Sequence, residues 1–61
     1  MMKYRVVACR WNESDVTLFY TMDEALCFAK LIRGDMDIVR VERMGRYTNI
    51  VITEWIDGKE V

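Results

Sequence analysis

Sixty-one residues with no Pro, three Gly and about half the chain apolar suit one compact domain and leave no room for a linker or a second one. Nine basic against ten acidic side chains lack the basic excess that generic nucleic-acid binding uses. The absence of His removes the usual general base, the Ser or Cys triads and the mixed Cys/His metal sites.

In chain order, Lys3 to Trp11 is a β-rich run whose charges do not alternate cleanly, which predicts a strand partly buried on both faces. The polar cluster Asn12 to Asp15 predicts a turn, and Val16 to Tyr20 a second strand with Val16, Leu18 and Tyr20 pointing one way and Thr17 and Phe19 the other. Thr21-Met-Asp-Glu24 reads as a capping box, so a helix is expected from there through Arg33, with Gly34 as the left-handed residue that ends it. Met22, Ala25, Leu26, Phe28, Ala29 and Ile32 form one wide apolar face of that helix, while Cys27 and Leu31 lie off it.

After a loop over Gly34 to Asp37, Ile38 to Arg43 alternates as a half-buried strand, with Val39 and Val41 on one face and Ile38, Arg40 and Glu42 on the other. Met44 to Thr48 has the length of a hairpin turn, and Asn49 to Ile56 is a strand apolar on both faces, with Ile50, Ile52 and Ile56 on one side and Val51 and Trp55 on the other. Asp57 to Val61 reads as a turn and a tail without assigned structure. The expected fold is α+β, a ββαββ order across residues 1–61, with one mainly antiparallel sheet of four strands and a single helix on one face.

Such a chain buries only about 60% of the surface its unfolded form exposes, so outside reinforcement is expected. Cys9 and Cys27, each among apolar neighbours, have neither the count nor the spacing of a disulfide framework and read as reduced core or interface residues. The apolar fourth strand and the off-face helix residues predict a homodimer whose interface includes Leu31, Ile50, Ile52 and Trp55, with Trp55 as its anchor.

Catalytic, metal-binding and cofactor-binding residues are expected to be none. Asp35 and Asp37 are ordinary turn formers between helix and strand, and the three glycines are isolated rather than grouped in a phosphate loop. Nothing at the charged N-terminus reads as a signal peptide and no apolar run is long enough to span a bilayer, so a cytoplasmic protein with no membrane role is expected. Two binding classes remain. One is a non-catalytic module for a protein target. The other is a small nucleic-acid binder using Arg40, Arg43, Arg46 and Tyr47 on the second hairpin, with Arg10 and Trp11 nearby. Glu42 and Glu54 count against it, because cross-strand Arg–Glu pairs are the ordinary use of such residues.

Tyr4-Arg5-Val6-Val7, Glu24-Ala25-Leu26 with Phe28-Ala29-Lys30, Val39-Arg40-Val41-Glu42-Arg43 and Val51-Ile52-Thr53-Glu54-Trp55 resemble the texture of very short bacteriophage accessory proteins. The resemblance implies stoichiometric binding, as an inhibitor or adaptor acting on a host enzyme or defence protein in the host cytoplasm. It transfers no functional residue.

Overall fold

The computed structural model describes residues 2–61. Strands β1 (Tyr4–Arg10) and β2 (Glu13–Phe19) form the first hairpin, helix α1 (Met22–Ile32) follows with a 3-10 turn at Arg33–Asp35, and β3 (Ile38–Met44), β4 (Asn49–Ile56) and β5 (Lys59–Glu60) complete the chain. All pairings are antiparallel and the sheet order is β2-β1-β3-β4-β5. The α+β class and the single helix agree with the sequence reading. The strand count does not, because five strands form rather than four.

The fifth strand comes from the segment read as a tail. Asp57 and Gly58 adopt φ of 53° and 81°, the pair of positive values that a two-residue type I′ hairpin requires and that Asp-Gly supplies. Lys59 and Glu60 then pair with Ile56 and Trp55, and the Val61 amide donates to the Glu54 carbonyl at 2.9 Å. As a result β4 is no longer a free edge at its C-terminal end.

The helix starts as its sequence suggests. Thr21 is extended, and its hydroxyl oxygen accepts from the Glu24 amide at 3.2 Å while the hydroxyl donates to the Glu24 carboxylate at 3.0 Å. It ends differently from expectation. Gly34 is not left-handed but lies within the 3-10 turn, and the preceding Arg33 donates through Nη1 to the Gly58 carbonyl at 2.6 Å. Because an added Cβ at Gly34 meets nothing within 4 Å, Gly34→Ala should stabilise the domain by about 0.4–1 kcal/mol through the unfolded state. Urea denaturation checks this, and a loss of stability would mean that the turn needs glycine.

The helix lies against the sheet through Ala25 and Ala29, both fully buried, so small side chains bring the two layers close. Beneath them the core consists of Val6 and Ala8 from β1, Val39 and Val41 from β3, and Trp55 from β4. Phe28 sits at the margin, half-buried, its ring centroid 5.4 Å from that of Phe19. Trp55 therefore closes the core beneath the helix, where only 3% of it is exposed, and cannot serve as an interface anchor. The cause is a bulge. Val41 pairs with Thr53 but Glu42 with Val51, leaving Ile52 as an extra residue in β4. Strict alternation through Ile50, Ile52 and Ile56 is thereby broken. Ile50 falls in register with Arg43 on the helix side, whereas Ile56 pairs with Ile38 on the other side.

Candidate interaction face

A sheet with one helix has one face uncovered, and the register fixes what stands on it. Leu18, Arg5, Glu42 and Val51 form one row across the strands. Val16, Val7, Arg40 and Glu54 form the next, and Ser14, Cys9, Ile38 and Ile56 the third. Charge occupies the centre of this face. Aliphatic side chains flank it, with Val16 and Leu18 on β2 and Val51 and Ile56 on β4 all exposed.

Glu42 is the centre of the charge group and only 3% exposed, although no second layer covers it. Its Oε1 accepts from Arg5 Nε at 2.5 Å and its Oε2 from Arg40 Nη1 at 3.3 Å, and Arg40 Nε donates onward to Glu54 Oε2 at 3.1 Å. Asn49 closes the group. In one amide orientation its Nδ2 donates to Glu42 Oε1 at 3.4 Å, and turned over its oxygen accepts from Arg5 Nε at 3.2 Å and Nη2 at 3.1 Å. Desolvation alone would push the Glu42 carboxyl upward, but the hydrogen bonds from Arg5 and Arg40 and the charge of Arg5 outweigh it and hold the group below the ordinary carboxylate value. Arg40 is raised in turn, by Glu54 first and Glu42 second. Two cations and two anions cancel, so this group carries no net charge, while Lys59, in register with Ile56, adds a cation at the β5 edge of the same face. Among the described residues no buried side-chain nitrogen or oxygen lacks a partner.

The residues expected at an interface do not come together. Leu31 is 76% exposed on the outer side of the helix, Ile50 lies in register with Arg43 at the far end of the hairpin, Ile52 is the bulge residue and Trp55 is in the core. The nucleic-acid candidates divide as well. Arg40 and Arg43 point to opposite faces of β3, Arg40 is bound by two carboxylates, and Arg46 lies over the exposed Tyr47 ring at the hairpin tip, 5.7 Å from its centroid. Among the described residues no row of cations forms along the ribbon. The residues missed were Val7, Cys9, Ile38, Val51 and Ile56 as members of one face. Their signal was the pairing of Val16 and Leu18 opposite Thr17 and Phe19, which needed only the placement of Phe19 against Phe28 to orient the sheet.

Asp37 is engaged within the fold. Asp37 Oδ2 accepts from the Trp11 amide at 2.8 Å, its own amide donates to the Cys9 carbonyl at 2.9 Å, and its carbonyl accepts from the Asp57 amide at 2.8 Å, so one residue joins the β1–β2 turn and the β4–β5 turn to the loop after the helix. Trp11 is held there at φ 55°, 83% exposed, with the Arg10 guanidinium 5.1 Å from its ring centroid. Among the described residues no group of carboxylates and thiols has metal-site geometry, and no helix is long and apolar enough to cross a membrane. Comparison with protein-family models, with curated proteins and with solved structures gave no match.

Proposed function

We propose that this chain is a non-catalytic protein-interaction module, working by stoichiometric binding as an inhibitor or adaptor, whose docking surface is the helix-free face of the sheet. The observation that carries the reading is the exposed aliphatic set Val16, Leu18, Val51 and Ile56 around a charge group that is already neutral. A protein covering this face gains apolar burial at the flanks and does not need to bring counter-charges, because Glu42 and Glu54 already have theirs. A phosphate backbone, by contrast, would find Arg5 and Arg40 occupied.

The face suits a second copy meeting it across a two-fold axis, since the charge group at its centre is neutral and the Lys59 cation stands at the β5 edge. A standard interface takes about 800 Å² per partner. That is about a sixth of the 4649 Å² that the chain exposes, an area that one sheet face can supply. Sedimentation equilibrium should give a mass rising with concentration from 7.3 kDa towards twice that value. Val16→Asp and Ile56→Lys, both at exposed positions, should hold the mass at the monomer while leaving the circular dichroism unchanged. A wild-type mass that stays at the monomer would remove the second copy, and the face would then belong to a different protein. Dimers equally stable in both variants would remove the face itself.

A further inference from the structure

We infer that the corner of the sheet beside the second hairpin is a binding site for a small amphipathic anion, a carboxylate on a flexible alkyl chain. A recess of about 780 Å³ opens there, lined by Met2, Lys3, Arg43, Met44, Arg46 and Ile50. That volume lies within the range of small-molecule sites, about 300–1,000 Å³. Three cations and three apolar side chains line it, and no carboxylate does.

The cations set the sign of the ligand. Arg5 and Arg40 are bound to carboxylates, Arg33 to a carbonyl, and Arg10 and Arg46 lie over aromatic rings. Arg43 alone among the arginines has no hydrogen bond, ion pair or ring contact among the described residues. Its cross-strand neighbours are Tyr4 and Ile50, neither of which carries charge, and the adjacent Glu42 points to the opposite face and is already engaged. An unpaired guanidinium in a chain of net charge −1 marks a place where an anion is favoured.

The apolar lining sets the shape of the ligand. Ile50 is 60% exposed at a position whose register faces the helix side, because the helix leaves this corner of the sheet uncovered. Met2 and Met44 flank it with unbranched, polarisable side chains that adapt to a flexible chain better than to a rigid ring. The recess wraps the corner of the sheet, with Arg43 and Ile50 on the helix side and Met44 in register with Asn49, and shares none of the aliphatic residues Val16, Leu18, Val51 and Ile56, so it can be tested apart from the docking reading.

Titration with sodium decanoate below micelle formation, followed by amide chemical shifts and calorimetry, tests the assignment, with decanamide as the uncharged control. The expected result is one decanoate per chain, shifts centred on Lys3, Met44, Gly45 and Ile50, and binding about tenfold tighter than that of decanamide, the factor that corresponds to about 1.4 kcal/mol. Arg43→Gln and Lys3→Gln, both at exposed positions and checked by circular dichroism, should each reduce that preference. Equal affinity for the acid and the amide, shifts centred on Val16, Leu18 and Ile56, or unchanged binding by both variants would overturn the proposal. Cosedimentation with phosphatidylglycerol vesicles without any decanoate shift would overturn it as well, since the ligand would then be a membrane surface.

Discussion

Trp55→Ala should unfold the domain at 37 °C. Its side chain closes the core against Val39 and the buried helix alanines, and removing a core aromatic costs about 3–5 kcal/mol. Native domains of this size hold about 0.05–0.15 kcal/mol per residue, so the loss is comparable with the whole stability. Urea denaturation of the purified variant would give a midpoint near zero or no transition. Stability within about 1 kcal/mol of the wild type would mean that Trp55 lies at the surface after all.

Glu42→Ala should produce the largest loss of any charged residue. Breaking a fully buried ion pair from one side costs about 3–5 kcal/mol. Here Arg5 and Arg40 keep about a third of their side chains in water, 33% and 37%, so they rehydrate in part and the loss should be nearer 2 kcal/mol. Glu54→Ala removes an outer member that is partly exposed, and should cost less than about 1 kcal/mol. The order Glu42 above Glu54 is the checkable result, because it separates burial from the mere count of ion pairs.

The same residue gives the pH dependence. Its carboxyl is held below the ordinary 4.5 in the folded state, so the stability it contributes is fully present above that pH and is lost as the pH falls through the lowered folded value. Stability measured by denaturant from pH 6 downward should fall on the acid side of 4.5 in the wild type, and fall less in Glu42→Gln. An identical acid limb in both proteins would assign the loss to other carboxylates.

Much of the fold was legible because local chemistry and tertiary need agreed. Thr21 with Glu24 marks the helix start, and Val39 and Val41 alternate against Arg40 and Glu42 as they do in the folded sheet. The features that were not legible arose from contacts distant in sequence. The bulge at Ile52 has no composition signal, yet it moves Ile50 and Ile56 to opposite faces, so simple alternation assigns the strand wrongly. Gly34 reads as a left-handed stop, but Arg33 is bonded to the Gly58 carbonyl and the chain turns as a 3-10 helix instead. The type I′ signal of Asp57-Gly58 was present, and β5 was concealed only by its length of two residues. Glu42 stood on the correct face, but its burial depends on Arg5 and Asn49 arriving from two other strands.

The helix-free face of the sheet is central, as the surface that we propose another protein covers. Placing a photo-crosslinking amino acid at position 16 on that face, at position 56 on the same face and at position 31 on the outer side of the helix, then irradiating cells that express the protein, tests this directly. The expected result is protein adducts from positions 16 and 56 and none from position 31, with the adduct mass distinguishing a second copy from a different partner. Adducts from position 31 alone would contradict it.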